Sequence, residues 1–289
     1  MFQGSMVAIV TPMNADGSLD IKSFKSLLDY HIESKSDGVV VVGTSGEAPT
    51  IDFDEHTFLI KEAVNHIKGK IPVIAGSGAN STKEAIFLTE KSKELGADAC
   101  LLITPYYNKP NQRGMYEHFK AINDNVDIPQ ILYNVPCRTG VDIDNQTVED
   151  LSKLKNIIGI KDATGEIDRI DYLKNKVNKN FLFLSGDDTS FLDYMHHGGA
   201  GTISVTANIR PDLMHDICEK MLNQQFEDAK KINNKLELLH KAMFVESNPI
   251  PVKWLLSHLG KINSKIRLPL VTLDEKYHQN LIDAYEASL

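Results

Sequence analysis

Eight short apolar runs recur along this chain, and segments of helical pattern separate most of them. The runs are MVAIV from residue 6, GVVVV from 38, IPVIAG from 71, ACLLIT from 99, PQILYN from 129, IIGIK from 157, FLFLSG from 181 and GTISVT from 201. Val, Ile and Leu stand together in them without alternation, as in strands buried on both faces. Between them lie DIKSFKSLLDYHI after Asp20, DEHTFLIKEAVNHI from Asp54, STKEAIFLTEKSKEL from Ser81 and MYEHFKAIND from Met115. Ser81 with Glu84 three residues on fits a reciprocal helix cap. The alternation predicts an α/β fold, a parallel (β/α)8 TIM barrel. After residue 208 the strand signals stop, and four further segments read as helices. The expected division is a barrel over 1–224 and a small C-terminal helical region over 225–289.

The competing architecture is an open doubly wound sheet, which usually carries a glycine-rich phosphate turn. The one candidate is Gly76-Ser77-Gly78-Ala79-Asn80-Ser81. Its last glycine is missing and no acidic residue ends the next strand, so a tight strand-to-helix turn is the simpler reading. A chain of 289 residues suits one barrel. Its formal charge of -8 comes without any block of Lys or Arg, which argues against nucleic acid or an anionic membrane as partner. Cys100, Cys137 and Cys218 lack metal-ligand spacing and read as reduced thiols of a cytoplasmic protein. The opening MFQGSMVAIVTP has no basic leader and too short an apolar run to span a bilayer, so neither a signal peptide nor a membrane span is expected.

In such a barrel the C-terminal ends of the strands form the reactive face. Strand two ends in GTSGE (Gly43–Glu47), strand four in TPYYNKP, strand five in YNVPCRTG, strand six at Lys161 and strand seven in SGDD. A lysine at a strand tip can simply reach water along its aliphatic stem. If Lys161 instead points into the barrel mouth, desolvation lowers its pKa and yields the neutral amine that condenses with a ketone. An ordinary lysine is a free amine about once in a thousand at neutral pH. Imine formation also needs proton relays. Tyr133, on the neighbouring strand end, and Thr44 and Ser45 carry suitable hydroxyls. Taken singly, Tyr133 is equally a core aromatic, and Thr44 and Ser45 are equally a polar turn.

The ordered set GTSGE, TPYYNKP, YNVPCRTG, IIGIKDATG and LSGDD resembles the pyruvate-dependent class I aldolases, and among them the dihydrodipicolinate synthase family. The likeness runs from the first strand to NPIPVKWLL near Asn248. It implies that Lys161 forms an imine with pyruvate, that Tyr133 is the nearest acid/base, and that Thr44 links it to Tyr107. In this family the second tyrosine of the YY pair reaches the neighbouring subunit's site, so Tyr107 would act across a dimer interface. The Thr44–Ser45 turn would hold the pyruvate carboxylate, although relatives often have Thr at Ser45. Gly186 and the main chain at Ile203 would complete the pocket. Arg138 would grip the carboxylate of aspartate 4-semialdehyde, the second substrate. N-acetylneuraminate lyases and keto-deoxy sugar acid aldolases are the alternatives; RTG is not the expected continuation of this loop in the former, and an assay with each aldehyde separates them all. A catalytically dead barrel kept for binding is a further alternative, against which Lys161, Tyr133, Thr44 and Tyr107 stand together.

The same resemblance implies no metal and no organic cofactor, and a homotetramer built as a dimer of dimers. In feedback-inhibited members lysine binds at the dimer interface. His56, Asn80, Glu84 and Tyr106 match that site, which makes lysine a candidate inhibitor. Phe53 and Ala48-Pro49 depart from sensitive enzymes there, and Glu84 and His56 also have ordinary first-turn roles.

Overall fold

The structure, a computed structural model, describes residues 2–289; Met1, the first residue of the expected barrel, lies outside the described residues. Eight strands form a closed parallel barrel in sequence order. They are β1 (Gly4–Ala8), β2 (Gly38–Val41), β3 (Val73–Gly76), β4 (Ala99–Ile103), β5 (Gln130–Asn134), β6 (Ile157–Asp162), β7 (Leu182–Ser185) and β8 (Gly201–Ser204). Each falls within or overlaps one of the eight apolar runs. Closure requires β1 against β8 with Gly4 opposite Gly201. Gly201 has φ +155°, and a Cβ there would sit 2.1 Å from the Gly4 carbonyl oxygen. Only glycine lets the two backbones meet this closely.

Strand alternation splits the apolar side chains into two clusters. Met6, Ala8, Val40, Ile74, Leu101, Ile131, Tyr133, Leu184 and Ile203 fill the barrel interior, with Phe2 in the same cluster. The opposite faces pack on the surrounding helices, and this second cluster includes Leu28, Leu59, Phe119, Ile160 and Phe191. Helix starts follow their sequence signals. Asp20, Asp52, Asn111 and Asp144 each cap with a side-chain oxygen. The Ser81 hydroxyl accepts from the Glu84 N–H at 3.4 Å. The reciprocal box forms at Asp52 and Glu55 instead, where both bonds are present.

Helices Pro211–Leu222, Phe226–Ala242, Ile250–His258 and His278–Glu286 follow β8. The expected division at 224 falls between the first two, but the core runs across it: Leu236, Leu239, Val252, Leu255 and Leu281 belong to the outer cluster. A buried ion pair fastens this region to the loop after β2. Lys253 donates to Glu47 at 2.5 Å, and both side chains are almost wholly buried. Glu47 also accepts from the Arg267 N–H at 3.0 Å. Among the described residues no helix is long and apolar enough to cross a membrane, and Cys100, Cys137 and Cys218 are all free.

Removing one partner of a buried pair strands the other charge, so Lys253→Met should cost about 3–5 kcal/mol of stability. Adding Glu47→Gln should recover the larger part, because it removes the stranded carboxylate. Urea denaturation of the two variants tests this, and equal loss in both would show that packing rather than charge carries the effect.

Candidate active site

Lys161 and Tyr133 are cross-strand partners on β6 and β5. That pairing depends on an irregularity. Gln130 pairs with Ile157, but Ile131 pairs with Gly159, so Ile158 is an extra residue in β6. Paired residues in a parallel ladder share a face, and one extra residue exchanges the faces. Without the bulge Lys161 would pair with Asn134 and face the helices. With it, Lys161 joins Tyr133 over the barrel interior. A Cβ at Gly159 would lie 2.5 Å from the Leu182 carbonyl oxygen, so the bulged strand needs glycine there.

Lys161 is 5% exposed and its Nζ lies 4.3 Å from the centre of the Tyr133 ring. Burial pushes its pKa down to about 8; Asp188 opposes the shift and Arg138 assists it. At pH 7.4 about one amine in five is then neutral, against about one in a thousand for an ordinary lysine. Burial raises the Tyr133 phenol, while a hydrogen bond with Thr44 and the charge of Arg138 pull it back. The phenol therefore stays protonated near neutrality and can donate.

These groups line a cavity of about 190 Å³. Thr44, Ser45, Arg138, Lys161, Gly186 and Tyr133 all face it. A Cβ on Gly186 would lie 2.8 Å from Lys161 Cε, so this glycine makes room for the lysine chain. Ile203 is buried in the interior cluster and is not a lining residue; Val205 lines the wall instead. Tyr107 is not brought into the site of its own chain. It is 90% exposed, with φ +72°.

Several site residues were not singled out by sequence. Asn248 and Phe244, from the C-terminal region, line the same cavity. The Asn248 amide donates to Ser45 Oγ at 3.0 Å, and its carbonyl accepts from Arg138 Nη2 at 3.1 Å. Asp188 is buried, and its Oδ2 accepts from the N–H groups of Val205 and Thr206 at 3.0 and 2.8 Å. NPIPVKWLL contributed to the family likeness, but no local pattern marks Asn248 as a neighbour of residues so distant in sequence.

A larger cavity, about 570 Å³, adjoins the first and shares Gly43, Thr44, Leu101, Tyr133 and Arg138 with it. It holds His56, Glu84 and Tyr106. Asn80 is not a lining residue, but its amide donates to the Tyr106 carbonyl at 3.2 Å. His56 Nε2 is 2.8 Å from the Gly76 carbonyl oxygen, and burial lowers its pKa against that bond. Burial, then the nearby Glu84 carboxylate, raises the Tyr106 phenol. Exposed Phe53 lines the same cavity and meets Phe87 edge-on at 5.8 Å. Among the described residues His215, Asp216 and Glu219 bring metal-ligating atoms within 4.8 Å of one another, a grouping the sequence did not suggest. His215 is engaged by Asp37 at 3.1 Å, and none of the three lines either cavity.

A desolvated lysine beside a tyrosine at the mouth of a (β/α)8 barrel has the chemistry that imine-forming, class I aldolase-type enzymes need. The Dihydrodipicolinate synthetase family pattern matches residues 1–288, and the chain belongs to that family. It is 57% identical over 279 residues to the 4-hydroxy-tetrahydrodipicolinate synthase of Nitrosomonas europaea, covering 96% of each chain. The chloride-inhibited dihydrodipicolinate synthase of Acinetobacter baumannii, solved with pyruvate, superposes with a TM-score of 0.98 at 50% identity, over 100% of this chain and 99% of that one. The lysine-bound enzyme of Cyanidioschyzon merolae superposes with a TM-score of 0.96 at 35% identity, over 99% and 98%.

The depressed amine has a pH signature. Unfolded, Lys161 keeps its proton to about pH 10.5; folded, it releases it near 8. Between these values the unfolded state binds more protons, so this group makes stability rise with pH. Lys161→Met should remove about 3 kcal/mol of that rise across the window. Denaturation of both proteins at pH 8 and pH 10.5 measures it, and identical slopes would show that the amine is not desolvated.

Proposed function

We propose that this chain condenses pyruvate with aspartate 4-semialdehyde to 4-hydroxy-tetrahydrodipicolinate, in the biosynthesis of diaminopimelate and lysine. The observation that carries the reading is the buried Lys161 amine against Tyr133, with Arg138 on the rim of the same cavity.

The Lys161 amine attacks the pyruvate ketone carbon, and the carbinolamine loses that oxygen as water. Tyr133, hydrogen-bonded to Thr44, supplies the proton that lets it leave. The Thr44–Ser45 turn holds the pyruvate carboxylate. Asn248 fixes the Ser45 hydroxyl, and Gly186 leaves space for the imine. Loss of a methyl proton gives the enamine, whose carbon attacks the aldehyde. The aldehyde oxygen takes up a proton and becomes the product hydroxyl. The amine of the second substrate then displaces Lys161 from the imine carbon and closes the ring. Arg138 binds the second carboxylate, for which its planar fork is suited.

Tyr107 completes the relay in a partner subunit, which accounts for its exposure and left-handed backbone in the single chain. The assembly is a homotetramer, a dimer of dimers, and the protein works in the cytoplasm. The catalytic unit is 1–224 and the helical region is 225–289. Lysine occupies the larger cavity through His56, Glu84 and Tyr106, with Asn80 holding the Tyr106 main chain, and acts as an inhibitor. The shared Tyr133, Thr44 and Arg138 give it a route to the chemistry.

A coupled assay with pyruvate and aspartate 4-semialdehyde tests the reaction. Turnover only with N-acetylmannosamine or a sugar-derived aldehyde would assign the chain to another aldolase. Arg138→Ala should lower kcat/KM for the semialdehyde by about ten- to a hundredfold while borohydride still traps pyruvate on Lys161. Equal loss of trapping would place Arg138 on pyruvate instead.

The subunit crossing is tested by complementation. Tyr107→Phe alone should slow turnover about a hundredfold. Mixed after exchange with Lys161→Ala subunits, it should regain up to about a quarter of wild-type activity, since half the dimers are mixed and each has one repaired site. Exchange without recovery would confine Tyr107 to its own subunit or to no catalytic role.

A further inference from the structure

The residues that follow the catalytic pair are joined behind the barrel wall. Asn134 follows Tyr133, Asp162 follows Lys161, and the two are cross-strand partners. Their side chains alternate to the opposite face from the catalytic pair. There the guanidinium of Arg169, from helix Ile167–Leu173, joins Asp162 of β6 to Asp142 and Ile143 of the loop after β5, and that loop holds Asn134 at the end of β5. Its Nε donates to Asp162 Oδ2 at 3.0 Å and its Nη1 to Asp142 Oδ2 at 2.9 Å. Its Nη2 donates to the Ile143 carbonyl at 2.5 Å. Asp142 Oδ1 accepts from the Asn134 amide at 2.7 Å, and Asn134 Oδ1 accepts from the Ile143 N–H at 3.3 Å. The circuit therefore closes: Asn134, Asp142, Arg169, Asp162 and back through the strand ladder. Asp162 Oδ1 also accepts from the Thr164 N–H, and its carbonyl accepts from the Gly186 N–H at 2.7 Å. Arg169 and Asp162 are both buried.

Asn134, Asp142, Asp162 and Arg169 line neither cavity, so none of the four meets the substrate. We propose that Arg169 is a positioning residue, whose three-armed guanidinium locks the ends of β5 and β6 and so fixes Lys161 against Tyr133. The proposal rests on Lys161 as the imine-forming amine and Tyr133 as its proton donor. Those two side chains project from one rung of the ladder. A small slide of one strand end past the other changes the amine-to-phenol distance directly, and proton transfer falls steeply with misplacement. Asp142 and Asn134 give the clamp its second anchor. An arginine is required because a point charge cannot satisfy three acceptors in a plane.

Arg169→Lys keeps a charge beside Asp162 and removes the fork. It should stay folded, with a urea midpoint lowered by the acceptors that lose their donor. Its kcat should fall about tenfold or more, with KM for pyruvate within about threefold, because alignment and not binding is lost. Arg169→Met with Asp162→Asn removes the charge pair altogether and should show the same split between kcat and KM. Wild-type kcat in either folded variant overturns the proposal. So does a kcat loss that vanishes when corrected for the unfolded fraction, or loss of the fold in both variants, since each makes Arg169 merely structural. Borohydride trapping of pyruvate on the wild-type enzyme separates the underlying assignment. Label on a lysine other than 161 would overturn the imine reading itself, and the proposal with it.

Discussion

Burial of one amine organises this molecule. Lys161 sits in the barrel mouth, almost wholly covered, with its pKa held near 8. Holding a lysine pKa more than two units down costs about 3 kcal/mol at neutral pH. The rest of the barrel must offset that while keeping the amine within reach of a substrate. The interior cluster beneath it supplies the dry surroundings. Asp188, anchored by two backbone N–H groups, limits how far the pKa falls. In the proposed mechanism an amine with a much lower pKa would form a poorly protonated imine, and a protonated imine is the electron sink that the enamine step needs.

The C-terminal helices are part of that surrounding. Asn248 ties Ser45 to Arg138, the two groups assigned to the carboxylates of different substrates. The Lys253–Glu47 pair secures the same segment to the loop that presents Thr44. Replacing that pair with apolar residues could leave stability unchanged, but the paired charges fix one register between helix and loop. The loop after β2 therefore takes its shape from residues about two hundred positions away.

The proposed control by lysine has a physical route in the two adjoining cavities. Tyr133, Thr44 and Arg138 form part of both walls. A ligand held by His56, Glu84 and Tyr106 would bear on the proton relay through the contacts of this shared wall. Coupling by such a route needs no large rearrangement, only a preference of the ligand for one placement of the shared side chains.

The eight strands and most of the helices were legible in the sequence because hydrophobic periodicity is local: each run reports its own burial whatever it pairs with. The placing of Lys161, Tyr133, Thr44, Ser45 and Arg138 at strand ends was legible for the same reason, once eight runs implied a barrel. Whether Lys161 faced the barrel interior or the helices was not. That was decided by a bulge at Ile158, which exists only relative to β5. The Ser81–Glu84 box was a fair local reading that the fold declined, since Glu84 turns to the larger cavity. Gly186 read as a pocket lining, and the structure adds that it clears the path of the lysine chain. Asn248, Lys253 and Arg169 carried no local signal, because each is defined by what it meets across the fold. Sequence determines which segments are strands and which residues end them; only the closed barrel decides which of those residues share a face, since facing is a property of pairs.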